Sequence, residues 1–168
     1  MSFNRKVTLD TPSLLMKRNK NLVELSKDHH HGLLLGWKIK QGFKFGVNLK
    51  EIVNYINHFA AGALYPHFDE EENQLLPFID AEDPYRKRTI EEHLQLKKLI
   101  ASLSDSSSEE TLLNLAALLD AHIRFEEREL FPYMETLLSD EELDQIGKLI
   151  ADLHHPYIEN YPNEFWTR

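Results

Sequence analysis

The sequence predicts an all-α fold: an up-down-up-down four-helix bundle with a short extra helix near the C-terminus and non-helical arms at both ends. Apolar residues recur at helical spacing through four long segments, about 21–40, 49–79, 84–103 and 108–138. Turn and capping signals separate these segments, and none of them alternates as a half-buried strand does. The 168 residues suit one domain, 1–168, with a bundle core at about 21–138 and a short helix and tail at 139–168.

Each of the first three segments has an apolar stripe and a boundary. In the first, the stripe is Leu22, Leu25, Leu33 and Trp37, and "GFKFGVN" ends it. In the second, the stripe is Ile52, Ile56, Ala60, Leu64, Leu75 and Phe78, and Pro66 predicts a kink or a split. In the third, Asp83 is a suitable N-cap before Pro84, and the inward residues are Ile90, Leu96, Ile100 and Leu103.

The last two helices begin at capping-box patterns. Ser107 with Glu110 predicts the start of the fourth helix, and Ser139 with Glu142 predicts the start of the short fifth helix, which ends near residue 153. Pro156 follows directly, so His154 and His155 are expected to be structural or to face solvent.

Composition narrows the classes of function. The chain has no cysteine, which excludes disulfides, thiolate zinc sites and cysteine nucleophiles and fits a cytoplasmic protein. A net charge of −9 argues against nucleic acid as the main partner. The chain has no apolar run long enough to cross a bilayer, and its start does not read as a signal peptide, so no membrane association is expected.

One motif occurs twice, as "HFDEEENQLLPFI" at 67–79 and as "HIRFEERELFPYM" at 122–134. In each copy the histidine and the glutamate four residues later share the apolar face of their helix, which places His67, Glu71, His122 and Glu126 on inward stripes. The third segment directs His93 inward. The first segment directs His29 inward, with His30 as a close alternative.

Buried carboxylates are costly unless something compensates them. A lone buried histidine is more often a hydrogen-bonded core residue than a ligand, and an isolated HxxxE is often a surface pair. Two matched copies with inward histidines on the other helices favour a metal instead, because imidazole and carboxylate both bind iron, zinc and manganese. Glu72 and Glu127 lie off this face; we expect them to face solvent or to support the ligands from behind, and to leave metal content unchanged when substituted.

The motifs "LSKDHHHGL", "HFDEEENQLLP", "EEHLQL" and "HIRFEERELFP" resemble, in order, those of the hemerythrin-like, or HHE cation-binding, domain over about residues 21–138. The resemblance implies a four-helix bundle around an oxo- or hydroxo-bridged di-iron centre, with zinc or manganese as other possible ions. It implies bridging roles for Glu71 and Glu126 and terminal roles for His67, His93 and His122. The first-helix ligand matches His29, with His30 as the alternative.

The chain also departs from the oxygen-carrying members. They usually have HxxxH on the third helix, where this chain has Lys97 four residues after His93, and HxxxxD on the fourth helix, where it has HxxxE. The protein shell is therefore one histidine short, and candidates to fill the gap are His30, His31, His58, Glu70 or water. Open coordination positions are what the binding of a small ligand requires.

Three functional hypotheses follow. The first is a non-haem di-iron protein that binds or senses oxygen, nitric oxide or iron, with a small diatomic ligand as partner. The second is an enzyme that reduces nitric oxide or peroxide, or a donor of iron for repair of damaged metal centres. The third is a metal-free interaction module. The sequence identifies no catalytic acid, nucleophile or substrate pocket, and it indicates no particular protein partner.

Overall fold

The computed structural model describes residues 17–168, and within that range the secondary structure is helical, without strands. The α-helices are α1 (Val23–Lys44), α2 (Leu49–Phe59), α3 (Tyr65–Glu70), α4 (Pro84–Ala101), α5 (Glu109–Phe125), α6 (Phe131–Leu137) and α7 (Asp140–Leu153). Short 3₁₀ turns span Lys20–Leu22, Leu76–Phe78 and Phe165–Thr167. The all-α prediction is confirmed; most of the predicted N-terminal arm, residues 1–16, lies outside the described residues.

Three π-helical turns join helices that the sequence treats as single segments. They span Ala60–Leu64, Glu71–Leu75 and Glu126–Leu130, and each ends two residues before a proline, namely Pro66, Pro77 and Pro132. A proline lacks the N–H group and its ring collides with the carbonyl one turn back. The wider turn accommodates the proline. Pro66 therefore does not split the second segment, which stays helical from Leu49 to Phe78.

Caps and turns define the helix ends much as predicted. The Asp83 side chain accepts from the backbone N–H groups of Tyr85 and Arg86, and Ser139 and Glu142 form the predicted capping box. The capping box predicted at Ser107 is wrong, because Ser108 is the N-cap of α5 and accepts from the backbone of Thr111. Between α1 and α2, Gly46 has a φ of +66°, a left-handed conformation that glycine adopts without a steric penalty.

The core consists of two apolar clusters with a polar layer between them. One cluster includes Leu35, Ile39, Ile56, Phe68, Leu96, Leu115 and Ile123. The other includes Leu25, Leu75, Leu130, Met134 and Ile146. On α1, His29 lies between Leu25 of one cluster and Leu35 of the other. The buried polar residues thus form a middle layer of a helical bundle, with hydrophobic packing on both sides.

The predicted stripe of α1 is partly wrong. Leu33 and Trp37 are 41% and 47% exposed, whereas Leu35 and Ile39 are buried. Successive steps of four residues overshoot a full helical turn by about 40° each, so they leave the inward face after His29. On α4 the predicted inward Ile90 is 42% exposed and its neighbour Thr89 is buried, whereas Leu96 and Ile100 are buried as predicted.

The approach of α1 to α5 depends on a glycine beside the polar layer. A Cβ atom on Gly32 would lie 2.6 Å from Cδ1 of Ile123, so a larger residue would force the Ile123 side chain to move. The glycine therefore allows close packing between the helices that carry His29 and His122.

The C-terminal tail packs against α1 and α2 through a buried lysine. Nζ of Lys38 lies 2.7 Å from Oη of Tyr55 and 2.7 Å from Oε2 of Glu159, and it lies over the ring of Trp166 at 3.9 Å. Burial raises the pKa of Glu159, but the hydrogen bonds from Lys38 and Tyr55 outweigh it and lower the pKa to about 2. Among the described residues, no helix is long and apolar enough to span a membrane.

Candidate metal centre

Six of the seven predicted site residues meet in the polar layer. They are His29 on α1, His67 on α3, His93 on α4, His122 on α5, and Glu71 and Glu126 at the first positions of two π-helical turns. Both glutamates are fully buried, at 0% exposure. The seventh residue, His30, is exposed and lies outside the cluster, so the structure favours His29 of the two alternatives on α1.

The six residues form two groups, each with four potential ligand atoms within 4.8 Å of one another. The His29 group contains His29 and His67, the His93 group contains His93 and His122, and both groups include Glu71 and Glu126. Sharing of both carboxylates makes the two groups neighbours within one site, as a dinuclear centre requires.

Each glutamate presents one oxygen to each group. Oε1 of Glu71 lies 3.3 Å from Nε2 of His67, and its Oε2 lies 3.3 Å from Nε2 of His93. Oε2 of Glu126 lies 3.0 Å from Nε2 of His29, and its Oε1 lies 3.1 Å from Nε2 of His122. A carboxylate in this position can bridge two ions.

The atoms that face this space include buried polar atoms without a hydrogen-bond partner among the described residues. They are both carboxylate oxygens of Glu71, both of Glu126, and Nε2 of His93 and of His122. The Nε2 atoms of His29 and His67 face each other at 3.1 Å. Buried polar groups are nearly always paired, so this convergence of lone pairs fits a pair of cations between the two groups.

Comparison with known proteins agrees with this geometry. The model of the hemerythrin HHE cation binding domain matches residues 10–134. The chain belongs to this family. No curated protein and no solved structure matches the chain. Family membership and the buried His/Glu cluster together identify a metal-binding domain of the hemerythrin HHE type.

In this HHE domain, each of the four histidines of the two groups forms a hydrogen bond from its Nδ1 to a carboxylate. The pairs are His29 with Glu127 at 2.6 Å, His67 with Asp28 at 3.2 Å, His93 with Glu72 at 2.8 Å and His122 with Glu92 at 2.7 Å. An ionised carboxylate only accepts, so each Nδ1 carries a proton and, in the neutral ring, Nε2 holds the free lone pair. This arrangement directs four nitrogen ligands into the centre.

The four carboxylate–imidazole bonds form a closed ring around the bundle. Asp28 of α1 holds the histidine of α3, and Glu72, which follows α3, holds the histidine of α4. Glu92 of α4 holds the histidine of α5, and Glu127, which follows α5, holds the histidine of α1. Each supporting carboxylate is the immediate sequence neighbour of a predicted ligand but holds a histidine on another helix. The ring therefore links the four helices that carry the predicted histidine ligands.

Aromatic rings also limit the orientation of two histidines. Phe68 stacks on His93 with ring centroids 3.9 Å apart, and Phe131 stacks on His29 at 5.5 Å. Both phenylalanines belong to the duplicated motif or directly adjoin it, so the motif supplies packing as well as ligands.

The acidic environment shifts the protonation of the histidines. Burial lowers the pKa of His122, but the charge and close approach of Glu126 and the hydrogen bond to Glu92 outweigh it and raise the pKa to about 10. The pKa of His67 is raised well above its usual value, against burial, mainly by the charge of Glu71. Burial raises the pKa of Glu126, but the charge of His122 and the close approach of His122, His29 and His93 hold it well below its usual range. Without cations, imidazolium charge balances the two carboxylates.

None of the side chains proposed to fill the missing third-helix position enters either group. Lys97, four residues after His93, lies 3.3 Å from Glu72 and supports the carboxylate that holds His93. His31 packs against the ring of Tyr157, and His58 against Tyr55 and Tyr161. Glu70 accepts from Nδ1 of His154.

Sequence reasoning missed Asp28 and Glu92 as supporting residues and left the role of Glu72 and Glu127 open. The available signal was their position, because each directly precedes or follows a predicted ligand. Helical phase directs such a neighbour about 100° away from the ligand. It does not tell which other helix lies in that direction.

A cavity of about 520 Å³ reaches the centre from one side of the bundle. Its lining includes the ligand candidates His29, His67, His122 and Glu126, small and apolar residues such as Gly32, Ala63 and Leu64, and the tail residues His154 and Tyr157. A small molecule or ion can approach the centre through it.

Proposed function

We propose that this chain is a non-haem di-iron protein that binds or senses a small diatomic ligand such as oxygen or nitric oxide, or iron itself. The observation that carries the proposal is the position of the two glutamates, each of which presents one oxygen to each of two histidine pairs. The donor set contains nitrogen and oxygen without sulfur, which suits iron and also zinc or manganese.

Each of the two ions would be held by two histidines and by the two shared glutamates. His29 and His67 would hold one ion, His93 and His122 the other, and Glu71 and Glu126 both. Four protein ligands for each ion leave coordination positions open, and iron, when bound, supplies Lewis acidity and redox chemistry at those positions. The carboxylate ring keeps each Nε2 directed inward, and the two buried glutamates offset part of the cationic charge.

An up-down-up-down order of the four ligand-bearing helical segments is part of the same proposal. Its support is the short links between consecutive segments and the packing of α1 on α5, of α4 on α5 and of α1 on α2. Each segment then contributes at least one ligand to the common middle layer.

Elemental analysis combined with an optical spectrum tests the proposal. Protein expressed with ample iron is expected to contain close to two iron atoms per chain, and its oxidised form should show the charge-transfer absorption of a bridged di-iron centre. Addition of nitric oxide to the reduced protein should change the absorption spectrum of the reduced form. Only trace metal under iron, zinc and manganese supplements would refute the proposal and favour a metal-free interaction module.

The size of the cavity favours a second candidate, an enzyme that reduces nitric oxide or peroxide. A volume of about 520 Å³ exceeds the roughly 30 Å³ that one water occupies in the liquid, so the cavity has room for more than one small molecule. Consumption of many equivalents of either substrate by the reduced protein, with an electron donor supplied, would support the enzyme. Binding without turnover would support the sensor or carrier. Net transfer of iron to an acceptor protein would support a role as an iron donor.

A further inference from the structure

A second cluster of metal-binding side chains lies beside the centre, on the wall of the same cavity. Asp28 of α1, Glu70 of α3 and His154 at the C-terminal end of α7 each offer a ligand atom, and these atoms lie within 4.8 Å of one another. All three residues line the cavity, together with ligand candidates of the dinuclear centre. The cluster joins three elements that are distant in sequence.

The polar atoms of this cluster are poorly paired. The side chain of His154 is only 6% exposed; its Nδ1 donates to Oε2 of Glu70 at 2.9 Å. Its Nε2 points at Oδ1 of Asp28, 3.7 Å away, which is too far for a hydrogen bond. Oε1 of Glu70 is buried without a hydrogen-bond partner in the part of the chain that the structure describes. Within the described residues, Oε1 of Glu70 and Nε2 of His154 thus have no hydrogen-bond partner.

No lysine or arginine of the described residues forms an ion pair with Asp28 or Glu70. Within the described residues, the ion pairs of Asp28 are with His67 and His154, and those of Glu70 are with His154 alone. Oε2 of Glu24 lies 4.0 Å from Nε2 of His154 and adds further negative charge. Largely buried carboxylates without a lysine or arginine partner are costly, and a divalent cation removes that cost.

We propose that Asp28, Glu70 and His154 form a third, mononuclear site for a divalent first-row cation such as Fe²⁺, Mn²⁺ or Zn²⁺. Three protein ligands on the wall of a cavity bind more weakly than the four of each buried group, so this site exchanges its ion readily. The proposed third site belongs to this chain rather than to the matched part of the family domain, because His154 lies beyond the matched residues 10–134.

The position of the third site on the cavity wall suits a role in loading ions into the dinuclear centre. Asp28 holds Nδ1 of His67 through Oδ2 and presents Oδ1 to the third site, so one side chain links both sites. An ion held there lies on the cavity that leads to the His29 group. The role as a loading site rests on the proposed dinuclear centre; the third site itself does not.

Titration with Mn²⁺, followed by the electron paramagnetic resonance signal of the free ion, tests the site on iron-loaded protein. The wild type is expected to take up about one further Mn²⁺ per chain. Glu70→Gln keeps the volume and an acceptor for His154, and His154→Ala removes the imidazole; both are expected to lose that equivalent while they keep their iron. Glu110→Gln, a change at an exposed glutamate, serves as the control and should behave as the wild type.

Loss of the extra Mn²⁺ only in the Glu70 and His154 variants supports the site. Absence of extra Mn²⁺ in the wild type, or undiminished uptake by Glu70→Gln, overturns it while leaving the dinuclear centre intact. If the purified protein holds no iron, the same titration still applies. Uptake of one Mn²⁺ by the wild type that is lost in Glu70→Gln would then support the third site even though the proposed function fails. For the loading role, iron-depleted Glu70→Gln should refill its centre more slowly than Glu110→Gln, and equal rates would refute that role.

Discussion

Substitution of Glu126 by alanine tests whether one carboxylate serves two ions. Its Oε2 lies 3.0 Å from Nε2 of His29 in one group, and its Oε1 lies 3.1 Å from Nε2 of His122 in the other. Glu126→Ala therefore removes one of four protein ligands from each group. His93→Ala removes one ligand from the His93 group and none from the His29 group.

The size of the effect follows from known losses at metal sites. Removal of a residue that only orients a metal ligand typically costs about ten- to a hundredfold in affinity. Loss of a direct ligand should cost at least about a hundredfold, or about 2.8 kcal/mol, for each ion affected. We expect Glu126→Ala to weaken both ions by this amount and His93→Ala to weaken one.

Metal content per chain after graded treatment with a chelator measures the difference. The wild type should release its ions last, His93→Ala should release one ion early, and Glu126→Ala should release both together. Glu72→Ala and Glu127→Ala should fall between, because the structure places these carboxylates on Nδ1 of His93 and of His29; the expectation from sequence that they leave metal content unchanged is revised. Glu129→Ala, at a half-exposed position, is the control and should match the wild type.

Glu126→Gln is the control for misfolding. It preserves the volume of the side chain but removes its negative charge and provides one carbonyl oxygen, so the variant should retain the helical circular dichroism and still bind both ions more weakly. If a folded Glu126 variant loses one ion and keeps the other at wild-type affinity, then Glu126 is not a bridge, and the assignment of its two oxygens to two groups is wrong.

Three further predictions concern stability, protons and the tail. At a free metal concentration a hundred times the Kd, bound metal should add about 2.7 kcal/mol to the free energy of unfolding, which corresponds to a rise in Tm of roughly 5–10 °C by calorimetry. Equal Tm values for metal-loaded and metal-free protein would contradict a buried site. The raised pKa of His122 stabilises the metal-free fold fully below about pH 6.5, and this contribution is lost as the pH rises through about 10. The difference in Tm between metal-loaded and metal-free protein should therefore widen from pH 6.5 to 9, and metal binding should release protons. A difference that narrows over this range would refute the prediction. Glu159→Gln leaves the buried Lys38 without its carboxylate and should destabilise docking of the tail by about 3 kcal/mol, measured as faster amide hydrogen exchange at 157–166. Glu164→Gln, a change at an exposed position, is the control and should leave the exchange rate unchanged. Unchanged exchange in Glu159→Gln would show that Lys38 does not anchor the tail.

The sequence by itself determined the helical class and the residue types of the candidate site. The spacing of His67 to Glu71 and of His122 to Glu126 depends only on the geometry of one helix, which places residues four apart on the same face. The apolar neighbours of each pair indicate that this face is inward. For the same reason the caps at Asp83 and Ser139, which are local hydrogen bonds, could be predicted, and the structure confirms them.

Helical phase alone failed where small angular errors matter. His29 and His30 differ by about 100° around α1, and a stripe read in steps of four drifted onto the exposed Leu33 and Trp37. The buried Leu25 and Leu35, packed against other helices, fix the rotation of α1 and place His29 inward. Pro66 likewise predicted a kink or a split, but the chain widens to a π-helical turn and stays helical.

Only the tertiary structure decided which groups meet across helices. Glu72 and Glu92 are adjacent in sequence to predicted ligands, yet each holds a histidine on the following helix, and His154 reaches Asp28 and Glu70 across more than eighty residues of chain. Periodicity records the direction of a side chain from its own helix axis, whereas a contact between helices also depends on their separation, rotation and order. Those quantities are set by packing, here by Gly32 against Ile123 and by the two apolar clusters that enclose the polar layer.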